Sequence, residues 1–130
     1  MKPSDFFTRS KANEGERMPL SLPDGTPTDE WLLIRGIDSD EFRAALDEHR
    51  RAVLANAAIE DEAERAEKNR LAGLNLHCAL VMDWSFDAEL TQDALQEFFT
   101  EAPHIAIEVD SFASNRKRFF RKGSASSAKD

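Results

Sequence analysis

At 130 residues the chain has the size of one domain, and 41% hydrophobic against 32% charged residues allows a core beneath a solvated surface. A formal net charge of −8 argues against a general nucleic-acid binder, whose phosphate affinity comes from Lys and Arg. The single cysteine, Cys78, cannot close an internal disulfide, and the longest apolar run, Cys78-Ala79-Leu80-Val81-Met82, falls far short of the roughly 20 residues that span a bilayer. Met1-Lys2-Pro3-Ser4-Asp5 has no apolar stretch behind it, so no signal peptide is expected and the chain reads as cytoplasmic, with no membrane partner.

Residues 1–16 are polar apart from Phe6-Phe7 and read as a flexible leader. The two rings form either a short docking motif or a patch folded back on the body. A hairpin follows over 17–35. Arg17-Met18-Pro19-Leu20-Ser21-Leu22 alternates, and Pro23-Asp24-Gly25-Thr26 supplies a turn: Pro fixes φ, Asp bonds nearby backbone and Gly accepts positive φ. Glu30-Trp31-Leu32-Leu33-Ile34-Arg35 returns. Pro19 lacks an N–H and places its strand at an edge.

A first helix is expected at about 39–59, with Asp38 as N-cap and Glu41 completing a capping box. Its stripe is Phe42, Leu46, His49, Val53 and Ala57. No Gly or Pro interrupts 37–72, so one very long helix is conceivable, but Asp61 with Glu64 repeats the capping pattern and favours a break near Ile59-Glu60. The second helix, about 61–82, starts so polar that it should project beyond the core, and regains an apolar face at Leu71, Leu74, Cys78 and Val81. Trp84 reads as core. Thr91 caps a helix at about 91–101 carrying Leu95, Phe98 and Phe99, and Pro103 opens a last one at about 103–121 with Ile105, Val109, Phe112 and Phe119 in line. Ile105 to Val109 also alternates like a strand. The fold class is therefore α+β, mainly α: a hairpin packed on about four helices in one domain, 17–122, with 123–130 a disordered tail.

The search for chemistry returns nothing. His49, His77 and His104 lie on separate elements, and no metal-ligand spacing occurs. The five glycines form no phosphate loop, Cys78 reads as buried filler, and acidic clusters such as Glu60-Asp61-Glu62 fall on a solvated face. Neither catalysis nor a cofactor is expected.

Aromatic and charge distribution point to protein binding instead. There are nine phenylalanines and no tyrosine, with six of the nine in the pairs Phe6-Phe7, Phe98-Phe99 and Phe119-Phe120. Neighbours on a helix point about 100° apart, so one ring of a pair can serve the core and the other a partner. For Phe98-Phe99 the preferred reading is a wide apolar face holding both. Between Phe112 and Lys129 there are six basic residues and no acidic one, a basic arm on an acidic body. Phe119-Phe120 sit in this arm beyond Phe112, the last expected core position. The candidate protein-binding residues are thus Phe112, Arg116, Lys117, Arg118, Phe119 and Phe120, with Phe6 and Phe7.

The order of motifs resembles the tail assembly chaperones of long-tailed, siphophage-type bacteriophages and prophages. It runs from the Leu22-Pro23-Asp24-Gly25 turn to Arg35-Gly36-Ile37-Asp38-Ser39 before a helix opening on Phe42-Arg43. A charged helix pair leads to Trp84, a short helix to Pro103-His104-Ile105, and the last helix closes on Phe119. The resemblance covers about residues 18–120. It implies a protein of the bacterial host cytoplasm, absent from the mature virion, that binds the tape measure protein, keeps it soluble and helps bring tail tube protein onto it. It also implies a second, longer product made by translational frameshifting. A homo-oligomer fits the basic arm. The rival readings are a small regulatory protein-binding module and a nucleic-acid binder working through the arm.

Overall fold

The computed structural model describes residues 1–120. A 3-10 turn, Pro3–Phe6, leads to α1 (Arg9–Glu14), then strands β1 (Glu16–Ser21) and β2 (Pro27–Ile34). Next come α2 (Asp40–Asn56), α3 (Glu62–Cys78), β3 (Val81–Trp84), α4 (Gln92–Glu101) and α5 (Pro103–Ser114), and a 3-10 turn, Arg116–Phe119. The architecture is mainly α with a three-stranded antiparallel sheet ordered β1-β2-β3, the α+β class expected from the sequence.

The hairpin forms as its turn chemistry dictates. Asp24 Oδ1 accepts from the Thr26 N–H at 2.9 Å, Gly25 takes φ 92°, and Leu22 N–H donates to the Thr26 carbonyl at 2.8 Å. Met18 and Leu20 face inward while Arg17 and Pro19 face out, and Arg17 stacks over the Trp31 ring at 4.2 Å. Pro19 stands on an edge strand, beside a register shift between Pro19 and Ser21.

Two helix starts follow their capping signals: Asp61 accepts from Glu64 N–H at 3.0 Å and Thr91 from Ala94 N–H at 3.1 Å. The break between α2 and α3 falls at the expected place. The first cap does not. Ser39, fully buried, accepts from Phe42 N–H at 3.2 Å, while Asp38 turns away to an arginine. Both residues are good caps, and the Arg116 guanidinium decides between them. Ser39→Ala should therefore lower stability by about 1 kcal/mol in a denaturant melt, the ordinary cost of a lost cap. If Ser39→Ala leaves the melt unchanged, this assignment of the cap is wrong.

The larger corrections concern element ends. The segment expected to finish the second helix leaves α3 at Cys78 and becomes β3, pairing Leu32 with Trp84 and Ile34 with Val81. The run Cys78 to Met82 suits either element, and the unpaired backbone of β2 makes the strand better. Arg35 anchors the change of direction: its Nη1 donates to the Ala79 carbonyl and its Nη2 pairs with Glu41 at 3.2 Å. The last helix stops at Ser114 and not at 121; Asn115 adopts an extended ψ of 93°, and the chain folds back. The remainder of that expected helix, 121–122, and the expected tail, 123–130, lie outside the described residues.

The core gathers Leu32 and Ile34 of the sheet with Phe42, Leu80, Leu95, Phe99, Ile105, Val109 and Phe112 from the helices and connections. Trp84 belongs to it as expected. Beyond His49 the α2–α3 pair leaves the core. Val53, Leu54 and Ala57 are exposed there, and the polar start of α3 holds itself together through Arg70–Glu67 (2.7 Å) and Asn56–Asn69 (3.0 Å) contacts.

Candidate protein-binding surfaces

The segment 36–40 is a junction where both ends of the described chain meet. Gly36 N–H donates to Ala12 at 3.0 Å and Ile37 N–H to Ala113 at 3.3 Å. A Cβ on Gly36 would lie 2.9 Å from the Ala12 Cβ, so only glycine lets α1 approach this closely. Arg116 grips Asp38 with two hydrogen bonds, 2.6 and 2.9 Å. Arg9 grips Asp40 in the same way at 2.6 and 2.9 Å, with Asn13 adding a third bond at 3.2 Å. Residues 1–16, expected to be a flexible leader, thus contain a docked helix with Ala12 buried.

This geometry carries a pH dependence. Hydrogen bonds from Arg116 and Arg9 hold the Asp38 and Asp40 carboxyls below the ordinary carboxylate range. A lowered folded-state pKa means the contribution is complete above the unfolded value of about 4 and is lost as pH falls through the folded one. Acidification should therefore release α1 before the core opens. Amide exchange should rise first in residues 9–14 on titration from neutral pH to about 3; synchronous loss of all protection would contradict this.

The structure separates the residues singled out as an interface. Phe112 and Phe119 are core, their centroids 6.0 Å apart and edge-on. Phe119 therefore cannot be an anchor on the free surface, because Asn115 turns it back beneath α1. Arg118 lies over the Phe112 ring at 4.7 Å and Arg116 is committed to Asp38. Lys117 is exposed, and Phe120 is 50% exposed. Phe6 and Phe7 are exposed in the two residues before Thr8, which lines a small crevice with Phe120. The fold thus brings the leader and the arm together, leaving Phe6, Phe7, Lys117 and Phe120 available.

A second surface was not singled out from the sequence. A cleft of about 300 Å³ runs between the hairpin turn and the α4–α5 corner, walled by Leu20, Leu22, Pro23, Phe86, Phe98 and Ile105. Phe86 and Phe98 also wall an adjoining shallow cleft of about 370 Å³ that Trp84 backs. The three rings pack edge-on, with centroids 5.2 Å (Trp84–Phe86), 6.1 Å (Trp84–Phe98) and 5.5 Å (Phe86–Phe98) apart. Phe99 of the same pair is buried and Phe98 is half-buried against the core, so the wide apolar face expected from the sequence holds both rings while Phe98 also walls the cleft. The adjacency of the two rings is the signal the sequence offers; the packing of Phe98 on Phe86 and the cleft it shares with Leu22 are tertiary.

Among the described residues no group of His, Cys, Asp and Glu is placed to hold a metal, and no helix is long and apolar enough to cross a membrane. Burial pushes the Cys78 thiol up to about 11, which keeps it protonated and unreactive at neutral pH. No protein-family model, curated protein or solved structure matches the chain.

Proposed function

We propose that the protein is a phage tail assembly chaperone that binds the tape measure protein, keeps it soluble and promotes tail tube assembly. It works by binding and release, without catalysis or cofactor, in the cytoplasm of the bacterial host, and it leaves before the virion is complete. One observation carries the reading, the ordered succession of motifs from Leu22-Pro23-Asp24-Gly25 through Arg35-Gly36-Ile37-Asp38-Ser39 and Trp84 to Pro103-His104-Ile105 and Phe119. Two structural facts favour it: these motifs occupy the joints of one fold, and exposed or half-buried apolar side chains stand at two places on the surface beside charges that join no ion pair among the described residues. Aromatic anchors with a charged rim suit a partner that must be held and then released.

Co-expression tests this. A tape measure protein encoded beside this gene should be largely insoluble alone, soluble with the chaperone, and should co-purify with it. Unchanged insolubility and no co-purification would sink the proposal.

A further inference from the structure

We infer that the apolar cleft between the hairpin turn and the α4–α5 corner is the docking groove for a basic amphipathic helix of a partner protein. The inference rests on the chaperone reading for the partner's identity, but not for its chemistry. The walls are side chains: Leu22 and Pro23 from the hairpin turn, with Phe86, Phe98 and Ile105 completing the lining. Leu22 is 52% exposed, a large apolar residue on an otherwise satisfied turn. The turn has no backbone to lend to an added strand, because Leu22 N–H is bonded to Thr26 and Gly25 N–H to Leu22. At this turn recognition comes from apolar side chains entering the cleft, as in helix-in-groove binding with anchors at i, i+3, i+4 and i+7. The two clefts meeting at Phe86 and Phe98 suit successive anchors of that spacing.

Charge defines the other face of the occupant. Glu30 lines the first cleft, and Glu97 and Glu101 line the second. Glu97 and Glu101 are one turn apart on α4 and join no ion pair among the described residues, so each feels the other's like charge. Glu30 accepts a hydrogen bond from the Ser85 hydroxyl at 2.7 Å, and no described cation neutralises it. Lysines or arginines flanking the anchors would relieve this field and speed association.

The test uses the full-length protein and a designed helical peptide about five turns long, with leucines at i, i+3, i+4 and i+7 and lysines elsewhere. Calorimetry should show one-to-one binding that weakens with salt. A peptide with glutamates in place of the lysines should not bind. Leu22→Glu should weaken binding at least about tenfold, and Glu97→Lys with Glu101→Lys should transfer preference to the acidic peptide. Circular dichroism and thermal melting should remain those of wild type for both variants, since these residues lie at the rim. Equal binding of both peptides, or indifference to Leu22→Glu, overturns the groove, as does a self-association that Leu22→Glu abolishes. Co-expression separates the two claims. If Leu22→Glu still solubilises the tape measure protein, the chaperone reading stands and the groove falls. If wild type binds the lysine peptide but not the tape measure protein, the groove stands and that partner falls.

Discussion

Phe119→Ala is expected to destabilise the protein by about 3–5 kcal/mol, the usual cost of truncating a buried phenylalanine and leaving a cavity. Its side chain is 3% exposed and packs edge-on against Phe112. One edge of the ring also approaches Gly36, at the point where α1 touches the body. The cavity would therefore open beneath α1, Asp38 and α5 together, and little else could collapse into it. Phe120→Ala, one residue on and half exposed, should change stability by no more than about 0.5 kcal/mol, as surface substitutions do. Denaturant unfolding followed by circular dichroism gives the comparison directly. Equal effects from the two substitutions would mean that the return of the chain at Asn115 is not formed in solution. Against a typical total of about 5–15 kcal/mol, the first substitution can by itself unfold the protein. Any attempt to probe the arm by replacing both rings at once would thus confuse folding with binding.

Trp84→Ala should cost a similar amount, about 3–5 kcal/mol, and should also remove the back wall of the aromatic cleft. The indole is 9% exposed, contacts Phe86 and Phe98 edge-on, and donates its N–H to the Ala88 carbonyl at 2.8 Å. Removing it takes away the ring that packs against both Phe86 and Phe98, and leaves the Ala88 carbonyl without its donor. Trp84→Phe keeps most of the apolar volume and loses the hydrogen bond, so about 1–2 kcal/mol is expected. Thermal melts rank the three proteins. If Trp84→Phe were as damaging as Trp84→Ala, the hydrogen bond would outweigh the packing. If both were neutral, Trp84 would lie at the surface and the cleft as described would not exist.

The candidate surfaces were legible only in part. Composition and paired phenylalanines indicated that some rings would face outward, because neighbours on a helix cannot share one direction. Which rings do so depends on where an element ends: both Phe6 and Phe7 are exposed, but of the last pair only Phe120. By helical spacing Phe119 lies two turns beyond Phe112, and neither Gly nor Pro announces the break at Asn115. The cleft beside Phe98 went unseen for a different reason. Its walls come from residues 20–23, 86, 98 and 105, segments far apart in the chain. No periodicity connects a hairpin turn to a helix corner.

What the amino-acid sequence determined by itself is local and has local causes. The Pro23-Asp24-Gly25 turn, the caps at Asp61 and Thr91 and the interruption before α3 rest on side chains acting within a few residues of themselves. Tertiary structure decided wherever two local solutions were nearly equal in energy. Asp38 and Ser39 could each cap α2, and Arg116, 78 residues away, claimed Asp38. Residues 79–84 could extend α3, and the unpaired edge of β2 drew Val81–Trp84 into the sheet. Residues 1–16 had no pattern of their own strong enough to predict a helix. The glycine at position 36 let Ala12 approach to contact, and Arg9 and Asp40 then fixed α1 in place. Such choices turn on one contact supplied from across the chain, which no stretch of sequence contains on its own.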